Sequence, residues 1–127
     1  MNIPDDLMYS EDHQWVRMEE NGLIRVGITD YAQDALGEVV FVDLPEIDRL
    51  VEKGGVLGEV ESSKSVSEIS APLSGRVSEV NDDLELHPMK VNEDPYGEGW
   101  ICLMSGEESD PISKLLDSDS YRSLLES

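Results

Sequence analysis

The sequence predicts a mainly β fold with a short helix after the first hairpin and helices at its C-terminal end. Three observations carry that expectation. Short runs containing β-branched residues recur between turn residues, and one segment from Thr29 to Leu36 switches to helical character before a stop at Gly37. The hydrophobic content is 39%, with one Phe and two Trp, which suits a small β domain with modest packing better than an enzyme with a large pocket. A length of 127 residues fits a single domain, 1–127, with one core that needs no staples.

Taken in order, His13 to Arg17 and Leu23 to Ile28 form a hairpin across Glu20-Asn21-Gly22, with Ile24, Val26 and Ile28 alternating onto one face. The helix that follows is capped by Thr29 or Asp30 and stopped by Gly37. Val39-Val40-Phe41-Val42 is apolar at successive positions, which predicts a strand covered on both faces and ended by Pro45. Val56 to Val60 and Val66 to Ser70 are strand-like and separated by Glu61-Ser62-Ser63-Lys64-Ser65, a hairpin-like return with Lys64 near its tip. Gly55-Val56-Leu57-Gly58-Glu59-Val60 is echoed by Gly75-Arg76-Val77-Ser78-Glu79-Val80 on the other side of that turn. Two such units fit a flattened barrel-sandwich with approximate two-fold symmetry, although turn and strand composition also produces short echoes by chance. Asn81 to Leu84 starts a turn or short helix, and Trp100 to Met104 is another strand. Pro111 to Leu116 and Ser118 to Leu125 read as two short helices, the second with Tyr121, Leu124 and Leu125 on one side, in a helical segment spanning about 111–126. Both are expected to pack against the strands and to carry no chemistry.

Charge narrows the range of functions. Twenty-nine acidic against nine basic residues give a net charge of −20, which repels nucleic acid and anionic membranes and favours partners with basic docking surfaces. No apolar run is long enough to span a bilayer. The start, Met1-Asn2-Ile3-Pro4-Asp5-Asp6, has neither the form of a signal peptide nor that of an arginine-rich presequence, so a cytoplasmic protein is expected. Asp82-Asp83 and Glu107-Glu108-Ser109-Asp110 lack the alternation and glycine of a calcium loop and read as solvated charge, so no metal site is expected. The single cysteine, Cys102, lies in an apolar strand and reads as a small buried hydrophobe, with no activating base beside it in sequence.

Lys64 is the most informative residue. It is the only basic side chain between Lys53 and Arg76, and small serines on both sides leave it open. An ammonium on a flexible stem at a hairpin tip is a handle for covalent acylation. Exposed turn lysines are also commonplace, so the surrounding sequence decides. Glu61-Ser62-Ser63-Lys64-Ser65-Val66-Ser67-Glu68 resembles the lipoyl-lysine segment of the glycine cleavage system H protein family. Three further stretches match that family in the same order: His13-Gln14-Trp15-Val16-Arg17, the block from Val26 to Pro45, and Val91-Asn92-Glu93-Asp94-Pro95-Tyr96-Gly97-Glu98-Gly99-Trp100. The resemblance covers the chain from about Tyr9 to Met104, the expected core.

The resemblance implies a lipoyl/biotinyl-like barrel-sandwich hybrid and a non-catalytic, monomeric carrier with lipoate joined to Lys64 as N6-lipoyllysine. Its arm takes an aminomethyl group from the glycine decarboxylase and delivers it to the tetrahydrofolate-dependent aminomethyltransferase. Dihydrolipoyl dehydrogenase then reoxidises it. A lipoate-attaching enzyme is a further implied partner, and Glu61 is a candidate for its recognition, or else a solvated strand-end charge. The resemblance also implies a cleft that shelters the loaded arm, with Glu68, four residues after the lysine, as one of its groups.

Gln14 departs from the family, standing where a glutamate is common, with Asp12 two residues earlier where a short polar residue is usual. Glutamine cannot neutralise an ammonium, so Asp12 is the candidate for the missing charge. The alternative is that Asp12 and Gln14 are ordinary strand-edge polar residues. His13 reads as structural or docking, and His87 has no ligand partner in view. Two other function classes stay open. One is a lipoyl or biotinyl domain of an acyltransferase or carboxylase, disfavoured by Ser63 and Ser65 where biotin acceptors carry methionines. The other is a lipoyl relay or H-like binding protein outside glycine catabolism.

Overall fold

The computed structural model describes residues 1–107 and 112–126. Its strands are β1 (Met8–Tyr9), β2 (Gln14–Met18), β3 (Ile24–Ile28), β4 (Val39–Asp43), β5 (Leu50–Val51), β6 (Val56–Ser62), β7 (Val66–Ser70), β8 (Gly75–Val80) and β9 (Cys102–Gly106). The helices are α1 (Asp30–Leu36), α2 (Lys90–Glu93) and α3 (Ser118–Glu126), with a 3-10 turn at Asp82–Glu85. The strands form a six-stranded sheet in the order β1-β2-β3-β9-β8-β5 and a three-stranded sheet in the order β4-β6-β7. Every pairing is antiparallel.

One buried cluster draws on both sheets: Val16, Ile24, Val26 and Ile28 from the larger, Val39, Val42, Leu57, Val60 and Ile69 from the smaller. The two echoing segments lie one in each sheet, β6 between β4 and β7, and β8 between β9 and β5. A second cluster lies around Trp15, which donates its indole N–H to the Pro95 carbonyl at 2.9 Å. Gly27 faces Trp15 across the β2–β3 pair, and a Cβ there would stand 2.5 Å from the indole ring. Close approach of the ring to the backbone therefore requires glycine at that position. Tyr9 and Tyr121 stack in the same cluster, with ring centroids 4.7 Å apart, and join the C-terminal helix to the edge of the larger sheet.

The first hairpin forms as its pattern predicts, and α1 is capped by Thr29, whose hydroxyl accepts the Ala32 N–H at 3.2 Å. Cys102 is fully buried, and burial pushes its thiol up to about 12, so it is not a nucleophile.

Two expectations need correction. The strand at Val39 to Val42 is not covered on both sides: Val40 is 49% and Phe41 51% exposed. A bulge sets Val40 as an extra residue against β6, and a three-stranded antiparallel sheet keeps one face in water. The segment before Leu116 is a turn rather than a helix, closed by the Leu115 N–H on the Ile112 carbonyl at 3.1 Å. Leu116 then exchanges both backbone hydrogen bonds with Tyr9 at 2.7 and 2.8 Å, a pairing that a six-residue helix cannot match. Within α3, Tyr121 is buried and Leu125 packs against its cluster, while Leu124 on the same side of the helix is 37% exposed. Glu108-Ser109-Asp110 and Pro111 lie outside the described residues. No described helix is long and apolar enough to cross a membrane.

Candidate functional site

The β6–β7 hairpin presents Lys64. Glu61 and Val66 are its last paired residues, and the Ser62 N–H donates to the Ser65 carbonyl at 2.8 Å to close the turn. The buried Ser62 hydroxyl oxygen then accepts the N–H groups of Lys64 at 3.2 Å and Ser65 at 3.1 Å. A serine side chain that bonds the backbone two and three residues on fixes such a turn locally. The turn is also tied to its neighbour strand, since the Ser63 N–H donates to the Glu38 carbonyl at 3.0 Å. Lys64 itself is exposed.

Gly37 lies beneath the lysine stem. Its φ is 83°, and a Cβ added there would stand 3.1 Å from Lys64 Cε and 3.4 Å from Nζ. Glycine thus supplies both the backbone conformation that ends α1 and the space the lysine occupies. Asn92 holds this segment in place. Its amide N–H groups donate to the Gly37 carbonyl at 2.7 Å and to Gln33 Oε1 at 3.0 Å, while its Oδ1 accepts the Val39 N–H at 2.8 Å. Sequence reasoning assigned no role to Ser62 or Asn92. Ser62 had a usable signal as the first residue of a serine-rich turn, whereas Asn92 is far from Gly37 in sequence and nothing local reveals its partner.

A cleft of about 200 Å³ opens between α1, the β1–β2 connection and the smaller sheet. Its floor includes Ile28, Leu36, Val60 and Ile69, and Asp12 and Glu68 contribute carboxylates from different elements. Both acids are exposed, so the cleft offers negative charge at its rim and an apolar interior. Gln14 also lines it but is 3% exposed and committed to its own connection. Its Oε1 accepts the Ser10 hydroxyl at 2.5 Å, and its Nε2 donates to the Asp12 carbonyl at 2.8 Å. Asp12, Gln14 and Glu68 are therefore brought to one cleft, and Gln14 braces the backbone that carries Asp12.

Glu61 lies elsewhere. It pairs with Phe41 on one side and Val66 on the other and is exposed, next to the lysine turn but not in the cleft. His13 lines the cleft, with its ring tilted against Tyr31 at 4.6 Å and its Nδ1 2.8 Å from the Tyr121 hydroxyl. Burial lowers its pKa, and the neighbouring Asp12 opposes that shift. His87 borders a separate groove with Val40, Leu86 and Met89. Among the described residues, no group of three His, Cys, Asp or Glu side chains is placed to hold a metal ion.

The sequence profile of the family described as Glycine cleavage H-protein matches residues 7–127. A protein of Mycobacterium tuberculosis named Glycine cleavage system H protein is 51% identical over 130 residues, covering 98% of this chain and 97% of the relative. A protein of the same name from Thermus thermophilus is 50% identical over 127 residues, covering 100% of this chain and 98% of the relative. The crystal structure of a glycine cleavage system H protein from Mycobacterium marinum superposes with a TM-score of 0.88 at 38% identity, covering 98% of this chain and 100% of that one.

Proposed function

The chain belongs to the glycine cleavage H-protein family, the non-catalytic lipoyl carriers of the glycine cleavage system, and on that premise we propose that Lys64 is the residue that bears the arm. The observation that carries the proposal is the placement of Lys64: exposed at a hairpin tip fixed by Ser62, with its stem lying over Gly37 at the end of the helix that walls the cleft. These residues fit a lipoyl group, because the glycine leaves room for the stem and the adjacent cleft pairs an apolar interior with carboxylates at its rim. When bound, lipoate supplies a cyclic disulfide that takes an aminomethyl unit on one sulfur while the other becomes a thiol.

This chain's own residues hold and shelter. Asp12 and Glu68 supply charge for a protonated amine, Ile28, Leu36, Val60 and Ile69 exclude water, and Gln14 keeps Asp12 in place. Glu61, exposed beside the lysine turn, is proposed to be read by the lipoate-attaching enzyme. The proposed exchange partners are the glycine decarboxylase, the aminomethyltransferase and dihydrolipoyl dehydrogenase, each offering a basic docking surface to a carrier of net charge −20. The cytoplasm is the proposed setting, and the buried free thiol of Cys102 suits a reducing compartment.

Peptide mass spectrometry of protein isolated from its own cells tests the lysine. A lipoyl adduct on Lys64 is expected, and an unmodified Lys64 in lipoate-replete cells would remove the assignment. The neutral Gln14 favours one second reading, a lipoyl relay that is modified but not loaded. A glycine exchange assay reconstituted with the decarboxylase separates the two, since a relay would not support exchange. Within the carrier reading, Asp12→Asn is expected to speed loss of the aminomethyl group from the loaded arm by more than about tenfold, the equivalent of one charge-assisted hydrogen bond. An unchanged rate would take Asp12 out of the site.

A further inference from the structure

The C-terminal helix reaches the cleft through one hydroxyl. Tyr121 is fully buried on α3, and its oxygen lies 2.8 Å from Thr29 Oγ1 and 2.8 Å from His13 Nδ1. Counting hydrogens orders this chain. Thr29 is fully buried, and its Oγ1 already accepts the Ala32 N–H at 3.2 Å. Burial denies its own hydroxyl hydrogen a water, so that hydrogen needs a protein acceptor, and the Tyr121 oxygen is the acceptor among its described partners. Tyr121 has a single hydroxyl hydrogen, which is left for His13 Nδ1. His13 is then neutral with its proton on Nε2.

We infer that Tyr121 is a positioning residue for the arm cleft: it fixes His13 as the Nε2–H tautomer, so that α3 sets a hydrogen-bond donor among the groups that hold the arm. The inference rests on the carrier reading for its functional consequence but not for its geometry.

The backbone supports the same arrangement. His13 adopts a left-handed φ of 72°, uncommon for a residue with a side chain, and its carbonyl accepts the Thr29 N–H at 3.0 Å. The ring is thereby placed between Tyr31 of α1 and Tyr121 of α3. The charged groups lining the cleft with it are Asp12, its chain neighbour, and Glu68 of β7. A neutral Nε2–H donates to such a carboxylate and so orients it toward the ammonium of the arm, whereas a charged ring would repel that ammonium. Burial, which holds the His13 pKa down against Asp12, and the Tyr121 hydroxyl, which bonds the neutral ring, act in the same direction. Burial also raises the Tyr121 phenol, so it remains a donor.

The test is Tyr121→Phe in the full chain, which keeps the stack on Tyr9 and removes only the hydroxyl. Heteronuclear NMR of the His13 ring is expected to show the Nε2–H tautomer in the parent protein. In Tyr121→Phe that preference is lost and the titration midpoint rises, because the bond that favoured the neutral ring is gone. A midpoint that stays or falls overturns the inference, a fall meaning that Nδ1 had been donating to the tyrosine. On the loaded carrier, Tyr121→Phe is expected to speed loss of the aminomethyl group about fivefold, the equivalent of one hydrogen bond. In a His13→Asn background, where asparagine tolerates the left-handed backbone, the same change is expected to add nothing. Acceleration that persists in that background means general loosening and overturns the positioning role. Failure of the parent protein to load would instead overturn the carrier reading and this inference with it, while a parent that loads beside an indistinguishable variant overturns the inference alone.

Discussion

Gly37 combines a φ of 83° with a ψ of −157°, a region of backbone space that is essentially confined to glycine. The same position lies under Lys64, so a methyl group there would both strain the chain and press on the lysine stem at 3.1 Å. Gly37→Ala is expected to cost about 1–3 kcal/mol in denaturant unfolding and to slow lipoylation of Lys64. A variant of unchanged stability would show that the turn relaxes freely. This residue was legible in the sequence only as a helix stop, because the lysine that covers it is contributed by a different hairpin. Gln14 is the converse case. The sequence marked it as unusual, and the structure gives it a specific task in which Oε1 and Nε2 are both bonded within the β1–β2 connection. Its amide therefore acts on the cleft through Asp12's backbone.

The first hairpin places two arginines directly opposite each other, Arg17 against Arg25, an arrangement that is unfavourable by itself. Glu19 resolves it by accepting from Arg17 at 3.2 Å and from Arg25 at 3.0 Å. The two guanidiniums also lie over aromatic rings, Arg17 over Trp15 at 5.6 Å and Arg25 over Trp100 at 4.4 Å. Desolvation pushes the Glu19 carboxyl up, but the bonds from Arg25 and Arg17 outweigh it and hold the pKa below its ordinary 4.5. A carboxyl depressed in the folded state contributes stability that is fully present above its unfolded pKa and is lost as pH falls through the folded one. Glu19→Gln is therefore expected to lower stability at neutral pH by about 1 kcal/mol, and the deficit should shrink below about pH 4.5 as the parent loses the same interaction. A deficit independent of pH would assign the effect to packing. Among the other elements, α1 was readable from its cap and stop, both local signals. The bulge in β4 and the pairing of Leu116 with Tyr9 were not, since each is set by a strand remote in sequence.

Across the whole molecule, the net charge of −20 is carried by a fold with few basic groups to offset it, so self-repulsion opposes compaction. Raising salt from low ionic strength is expected to increase the unfolding midpoint while slowing association with the enzymes of the system, because screening weakens both the internal repulsion and the attraction to basic partners. Association rates that do not fall with salt would mean that docking is not steered by charge. The family and the mainly β fold were determined by the sequence alone, because turn chemistry, strand alternation and ordered motifs are local properties that a chain carries along its length. Lys64 was singled out for the same reason, as a lone cation in a serine turn. What only the tertiary structure decided is the company each residue keeps: Gly37 under the lysine with Asn92 bonded to its carbonyl, Glu68 and Asp12 lining one cleft, and the C-terminal Tyr121 bonded to His13. Those contacts join residues up to 108 apart in sequence, and no local pattern encodes a partner that folding alone brings within hydrogen-bond reach.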